Sequence, residues 1–289
     1  MPLTESGNYK GNIAILANPA AGKGKSASLL RKITAELERL RISHTVFTTQ
    51  WPEDLEGFTS AWIVGGDGTL NYFINKFPLV ELPIAVFKGG SGNDFAWKLY
   101  RDKGFQEVFD LALSGRSRRV DLGICNGKYF LNGVGLGFDG EVVKALGNKR
   151  ILPGKLSYLL VILKKIFFYR EGEVEISADN YHTKGHLFMV SIANGSRYGG
   201  GFLVAPGASF SDGLLDLVTI GPIPPVSRIF YLPLVMKGRH MGLPFVRLMR
   251  VRKLFVQSTQ ILRGHLDGEL TEGNRFELEI LPGKLSFFY

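Results

Sequence analysis

Ala61-Trp62-Ile63-Val64-Gly65-Gly66-Asp67-Gly68-Thr69-Leu70-Asn71 decides the reading of this chain. Four apolar residues read as a buried strand. Glycines 65, 66 and 68, with Asp67 between them, then lead into a helix expected over Thr69–Lys76. Glycine lacks the Cβ that keeps backbone amides away from a phosphate oxygen, and a helix N-terminus adds a dipole that favours an anion. The segment implies phosphate, most naturally that of a nucleotide.

Working outward, the flanking chain alternates strand and helix. Strands are expected at Asn12–Ala17, His44–Thr49, Ala61–Val64, Pro83–Phe87 and Arg118–Leu122. Helices are expected at Ser26–Leu40, where Leu29, Leu30, Ile33, Leu37 and Leu40 have helical spacing, and at Asp94–Leu99 and Phe105–Leu113. Such alternation predicts a parallel sheet flanked by helices. Two further glycine-rich turns follow strands of this sheet. Asn18-Pro19-Ala20-Ala21-Gly22-Lys23-Gly24-Lys25-Ser26 ends like a Walker A loop but has Pro19 where that motif needs glycine. Lys88-Gly89-Gly90-Ser91-Gly92-Asn93-Asp94 places Asp94 to begin or cap a helix. Taken singly, a solvated lysine turn and a capped helix would explain them. Together, three glycine turns after parallel strands mark the edge where open α/β sheets bind ligands.

Beyond Gly123 the pattern changes to strands divided by glycine-rich turns: Lys128–Leu136, Glu173–Ala178, Gly185–Ala193, Leu214–Ile220, Val251–Gln257, Arg275–Leu281 and Lys284–Tyr289. Helices are expected at Lys155–Tyr169 and at Val226–Lys237, with Pro233 inside the second. The predicted fold is therefore an α/β N-terminal domain with a parallel Rossmann-like sheet, residues 1–122, and a β-rich antiparallel sandwich C-terminal domain, residues 123–289. Gly133-Val134-Gly135-Leu136-Gly137 lacks the last glycine of a dinucleotide fingerprint and is read as close strand packing. His182 and His186 flank Lys184-Gly185 and are not read as a metal site.

With 289 residues, 45% hydrophobic and 21% charged, the chain has the composition of a soluble globular protein. No apolar run reaches the ~20 residues of a bilayer-spanning helix; Leu156–Leu163 is cut off by Lys164 and Lys165. Met1–Lys10 carries no secretory pattern, and the single Cys125 excludes an intrachain disulfide and a cysteine zinc site. A reducing, cytoplasmic setting follows. The net charge of +9 favours an anionic partner. Its basic residues mix with apolar ones at Lys155, Lys164, Lys165 and Arg170, and at Arg228, Lys237, Arg239, Arg247, Arg250, Arg252 and Lys253. That mixture suits an anionic membrane surface, or else a core helix with snorkelling lysines. No helix-turn-helix, zinc finger or aromatic RNA-binding strand argues for nucleic acid.

These motifs resemble the diacylglycerol kinase catalytic-domain family, which includes bacterial lipid kinases and the sphingosine and ceramide kinases. The resemblance rests on Asn18-Pro19-x-x-Gly22, Gly65–Asn71, Gly90-Ser91-x-Asn93-Asp94-Phe95, Asp121-Leu122-Gly123, Asn132–Asp139, Ser209–Leu214 and Leu266-Asp267-Gly268-Glu269, in order over nearly the whole chain. Gly-Gly-Asp-Gly-Thr alone is shared with NAD kinases and phosphofructokinases; the Asn-Asp-Phe-Ala element and the late Asp-Gly-Glu narrow it to lipid kinases.

The resemblance implies an ATP-dependent lipid kinase that uses Mg²⁺, with nucleotide held between the two domains and the lipid received by the second. Asn18, Pro19, Gly22, Lys23, Gly65, Gly66, Asp67, Gly68, Thr69, Leu70, Asn71, Ser91 and Asn93 would serve ATP, with Thr48 or Thr49 a further candidate. Asp94 would be one of the family's active-site carboxylates. Asp121 would join an ion-pair network beside Lys23. Glu269 is favoured as general base, with Asp267 the alternative. Ser209, Asp212 and the Leu214 carbonyl match a magnesium-binding loop, structural rather than the substrate Mg²⁺ site. Lys88 and Ser91 stand where many relatives carry Pro and Thr, and Lys88 would bring a charge near the phosphates. A final segment packing on the N-terminal domain is expected to be absent. The substrate lipid stays open among diacylglycerol, phosphatidylglycerol, sphingoid bases and ceramide, as does the oligomeric state, a homodimer included. The rival readings are a soluble-metabolite kinase of the NAD kinase type and a catalytically silent nucleotide-binding regulator.

Overall fold

The computed structural model describes residues 11–78, 80–147, 154–179 and 181–289, and side chains throughout these except at 154–158. The readings of Met1–Lys10 and of the Lys155 side chain lie outside the described residues. Residues up to 120 together with 283–289 form one compact unit, and residues 121–282 form a second.

The first unit runs β1 (Asn12–Ala17), α1 (Lys25–Arg39), β2 (Ser43–Phe47), β3 (Ser60–Gly65), α2 (Asp67–Lys76), β4 (Ile84–Lys88), α3 (Asp94–Tyr100), α4 (Phe105–Leu113) and the opening residues of β5 (Ser117–Cys125). Strands β4, β3, β1 and β2 lie side by side in that order, all parallel, with Trp62 opposite both Ile15 and Ala85. Ile13–Leu16 and Ala61–Val64 are fully enclosed, which is why they read as unbroken apolar runs and not as an alternation. On α1 Ile33 and Leu37 are buried, whereas Leu40, expected on the same stripe, is the exposed C-cap. Phe287 pairs in parallel with Ile84, and its ring centroid lies 5.2 Å from that of Phe95. Residues 283–289, which hold the last expected strand, thus belong to the first unit.

The second unit continues with β6 (Lys128–Phe130), β7 (Gly133–Gly137), α5 (Phe138–Leu146), α6 (Gly154–Lys165), β8 (Gly172–Ala178), β9 (Tyr181–Leu187), β10 (Met189–Ala193), β11 (Leu215–Ile220), α7 (Pro225–Met236), β12 (Val246–Val251), β13 (Lys253–Leu266) and β14 (Glu269–Phe288), whose last residues belong to the first unit. Strands β12, β11, β10, β7, β13 and β14 are antiparallel neighbours in that order. β13 is long enough to change partner: Leu254–Gln257 pair with β8, an irregularity follows, and Gly264–Leu266 pair with β7. Alternation puts Val134, Leu136, Ile192 and Leu217 into one core with Phe276 and Leu278. Met189, Val218 and Ile220 enter a second core with Phe138 of α5 and with Ile162 and Ile166 at the α6 end.

Several elements depart from the sequence reading. The strand expected over Lys128–Leu136 is two strands broken at Leu131-Asn132, and the one over Gly185–Ala193 is divided between β9, on β8, and β10, on β7 and β11. Helix α5, which the sequence reading did not place, begins directly after Gly137 (φ 88°) at the end of the glycine run of β7. β12 was not expected, because its outward arginines interrupt the apolar pattern. No helix among the described residues is long and apolar enough to cross a membrane.

Candidate active site

In the first unit the three glycine turns meet at the carboxyl ends of β1, β3 and β4, packed so closely that side chains are excluded. A Cβ on Gly22 would stand 2.0 Å from the Gly89 carbonyl oxygen, and one on Gly90 2.4 Å from the Gly66 Cα. Gly22, Lys23 and Gly24 all take left-handed backbone conformations, which glycine adopts without strain. The Ser26 hydroxyl donates to the Val64 carbonyl at 2.9 Å, and the Asn18 amide to the same carbonyl at 3.1 Å, tying the first turn to β3. Asn93, itself left-handed, closes the third turn: its Oδ1 accepts from the Gly90 amide at 2.9 Å and its Nδ2 donates to the Gly90 carbonyl at 2.8 Å. Asp67, at the start of α2, accepts the Phe95 N–H at 3.1 Å, so its carboxylate also braces the first turn of α3 beside the buried Asp94.

The predicted nucleotide residues divide by exposure. Asn18, Lys23, Gly68 and Ser91 are exposed around the turns, and Thr48 and Thr49 are exposed just past the end of β2. Leu70 and Thr69 are buried on the inner side of α2; the Leu70 side chain is a core anchor with no polar group to offer. Asn71 is engaged along its own helix, accepting from Asn75 Nδ2 through its carbonyl at 3.0 Å. Lys88 does not present its charge to the turns as expected. Its ammonium donates to the carbonyls of Arg101 at 2.7 Å and Lys103 at 3.3 Å, beyond the C-terminal end of α3.

In the second unit the two acids of Asp267-Gly268-Glu269 have different surroundings. Asp267 Oδ2 accepts from the Leu131 amide at 2.7 Å, and Oδ1 from the amides of Asn132 at 2.8 Å and Gly133 at 3.0 Å. Its carboxylate is the acceptor that closes the β6–β7 break. Glu269 opens β14 and is exposed. Of the two, Glu269 is the exposed side chain and Asp267 the one engaged by main-chain amides.

Close to this turn lies a buried polar cluster that sequence reasoning missed. The Tyr198 hydroxyl donates to Asp139 Oδ2 at 2.6 Å and lies 3.0 Å from Ser191 Oγ. The His265 ring packs edge-on against that of Tyr198 at 4.9 Å, and its Nε2 lies 3.9 Å from Asp139 Oδ2. Burial raises the Asp139 carboxyl to about 6, the Tyr198 bond pulling against it, and lowers the His265 imidazole to about 4. Asp139 and Tyr198, with Arg228 and His240, are polar members of a mostly apolar cavity lining that includes Ile162, Ile166, Phe188, Leu232 and Val235. The helical spacing of Phe138, Val142 and Leu146 was the signal available for α5, which positions Asp139.

Two other expectations meet specific geometry. In the Ser209–Leu214 loop the Ser209 hydroxyl accepts from the Ser211 amide at 3.3 Å, and Asp212 Oδ1 accepts from the Leu214 amide at 3.1 Å. Asp121 Oδ2 accepts the Gly213 N–H at 2.7 Å, while Lys23 belongs to the first unit. Among the described residues no three His, Cys, Asp or Glu side chains gather as a metal cluster. Arg228, grouped by sequence with surface basic residues, is buried. It donates to the carbonyls of Ile223, Ile166 and Tyr169 at 2.7–2.8 Å and to Glu171 at 2.6 Å, so it latches α7 to the end of α6.

Comparison with known proteins matches this two-part layout. The diacylglycerol kinase catalytic domain model matches residues 12–125, and the YegS C-terminal NAD kinase beta sandwich-like domain model matches residues 132–289. The "Probable lipid kinase YegS-like" of Pseudomonas aeruginosa (strain UCBPP-PA14) is 34% identical over 236 residues, covering 79% of this chain and 76% of the relative. The "Diacylglycerol kinase" of Bacillus subtilis (strain 168) is 27% identical, covering 88% of each. A crystal structure from Bacillus anthracis str. Sterne shares the fold with a TM-score of 0.81 at 22% identity, covering 99% of this chain and 98% of that one. Matched in order along its length, with a relative above 30% identity over more than three quarters of it, this chain belongs to the diacylglycerol kinase catalytic-domain family of lipid kinases.

Proposed function

We propose that the protein transfers the γ-phosphoryl group of ATP to the hydroxyl of a membrane lipid, diacylglycerol or a close relative. The lipid oxygen attacks the γ-phosphorus, the bond to the bridging oxygen of ADP breaks, and the hydroxyl proton passes to Glu269. Such a transition state spreads charge over the phosphoryl oxygens, so the protein's work is positioning and charge neutralisation. Amides of the Gly22, Gly66 and Gly90 turns, with Lys23, Ser91 and Asn93, would take the nucleotide. Asp94 would serve as a further active-site carboxylate.

The observation that carries the lipid reading is the mostly apolar cavity in the unit that bears Glu269, whose lining carries Asp139 and Tyr198 beside Arg228 and His240. A hydrocarbon chain fits such a lining and a water-soluble metabolite does not. Exposed Phe168, Val226 and Phe230 accompany Arg170 and Lys237 at the ends of α6 and α7, a composition suited to an anionic bilayer. A groove lined by Phe167, Phe168, Pro224 and Pro225 shares Ile223 and Arg228 with the cavity lining. The all-oxygen set of Ser209, Asp212 and the Leu214 carbonyl fits a hard cation; Mg²⁺ bound there would brace the loop.

The test is incubation with labelled ATP, Mg²⁺ and vesicles of phosphatidylglycerol containing diacylglycerol, a sphingoid base or ceramide in turn. A labelled lipid product is expected. Label transferred only to a soluble acceptor such as NAD, without vesicles, would overturn the reading.

A further inference from the structure

Between the cavity and the Asp267-Gly268-Glu269 turn, Asp139 and His265 face each other across β7. The residue beneath them is Gly135 on β7, where a Cβ would stand 2.6 Å from Asp139 Oδ2 and 2.7 Å from His265 Nε2. Only glycine lets those two side chains face each other across the strand. His265 sits on β13, two residues before Asp267, and its Nδ1 accepts the Gly268 N–H at 3.3 Å. A neutral ring that accepts at Nδ1 carries its proton on Nε2, the atom turned towards Asp139. Burial disfavours the imidazolium and so preserves that acceptor.

The turn it holds is conformationally demanding. Asp267 (φ 48°) and Gly268 (φ 92°) are both left-handed, and Glu269 follows at once. Asp267 fastens the turn from the β6–β7 side, and His265 Nδ1 is the fastening at Gly268 itself. We propose that His265 is a positioning residue for phosphoryl transfer, holding Glu269 in register with the lipid cavity through Gly268 on one side and Asp139 on the other. This rests on the lipid kinase reading above. The 3.9 Å gap from Nε2 to Asp139 is longer than a hydrogen bond, and contacts of this kind tighten when substrate binds. An occupied cavity therefore fixes Asp139 and Tyr198, then His265, then the turn that carries the base.

The test uses the full chain and two amide replacements. His265→Asn keeps an oxygen in the place of Nδ1, whereas His265→Gln moves the amide out to the place of Nε2. His265→Gln is expected to lose kcat by about 10–100-fold with the KM for ATP unchanged, and His265→Asn to recover most of it. Equal losses in the two variants, or wild-type kcat in His265→Gln, would overturn the proposal. Should both variants fold poorly, amide hydrogen exchange of the wild type decides. Gly268 should be protected, and more so with diacylglycerol-containing vesicles than with vesicles lacking it; exchange at the rate of an open turn in both would refute the role. Wild-type protein that phosphorylates no lipid sinks the kinase reading instead, and the Gly268 exchange still reports whether His265 holds the turn.

Discussion

Asp267 and Asn132 are joined by a hydrogen bond of 2.8 Å from the Asn132 amide to the Asp267 carboxylate, across the break between β6 and β7. With Leu131 and Gly133 held by the same carboxylate, three neighbouring amides depend on one side chain. Asp267→Ala leaves all three without that acceptor and is expected to cost about 2–4 kcal/mol of stability. Asp267→Asn, which retains one oxygen, should cost about half as much. Urea denaturation measures both. Full stability with abolished turnover in Asp267→Ala would instead return Asp267 to the role of base.

Glu269→Gln should behave in the opposite way. The side chain is exposed, so folding stability is expected to stay within about 0.5 kcal/mol of wild type. Turnover is expected to fall by about 10²–10⁴-fold with nucleotide affinity retained. A fluorescent ATP analogue titrated against both proteins, beside the kinase assay, separates the two effects. Near-normal turnover would remove Glu269 from the chemistry.

Gly22 and Gly24 give a controlled comparison within one turn. Both are left-handed, but a Cβ at Gly24 meets nothing within 4 Å, while one at Gly22 would stand 2.0 Å from the Gly89 carbonyl. Gly24→Ala should therefore cost only the left-handed strain of about 1–2 kcal/mol. Gly22→Ala must also part the first and third turns, so it should lose nucleotide binding as well as stability. Equal effects of the two substitutions on ATP affinity would mean that these turns do not form the nucleotide site.

Phe168 is 83% and Phe230 71% exposed, each on a segment that also lines the cavity through its inner face. Replacing both with Ser is expected to weaken co-sedimentation with phosphatidylglycerol vesicles by about tenfold or more while leaving stability unchanged. Arg228→Ala is expected to do the reverse: it removes the latch between α7 and α6 and lowers stability by several kcal/mol. Vesicle binding that ignores Phe168 and Phe230 would place any membrane contact elsewhere.

The parallel half was legible because its strands are enclosed on both faces, so Ile13–Leu16 and Ala61–Val64 appear as apolar runs that end in glycine. The glycine turns were legible for the same steric reason that the structure displays at Gly22 and Gly90. What the sequence hid depends on distant partners. Lys88 and Arg228 are cations to any linear reading, yet each is turned onto main-chain carbonyls. His265 looks like an isolated histidine on a strand; its meaning lies in Gly268 beside it and in Asp139, brought across β7 by the absence of a side chain at Gly135. Helix α5 was hidden by the glycines that precede it.

Asp139 and His265 also give the protein an opposed pair of titrations. The folded state raises the Asp139 carboxyl from 3.8 to about 6, so it binds that proton more tightly than the unfolded chain; the resulting stability is full below the ordinary carboxylate value and lost as pH rises to about 6. The folded state lowers His265 from 6.5 to about 4, so its contribution is full above 6.5 and lost as pH falls towards about 4. Between about pH 4 and 6 the two slopes oppose each other and largely cancel in the wild type. Tyr198 donates its hydroxyl to Asp139, and the Tyr169 phenol, pushed up by burial, also lies near it. Relative to wild type, Asp139→Asn should therefore gain stability as pH rises across it, and His265→Asn should lose stability, each on the order of 2 kcal/mol. Taking differences from wild type removes carboxylates such as Glu141, which Arg263 and Lys165 hold below the usual range. Urea midpoints at half-unit steps of pH read both slopes, and slopes of the same sign in the two variants would show that the pair does not titrate in this opposed way.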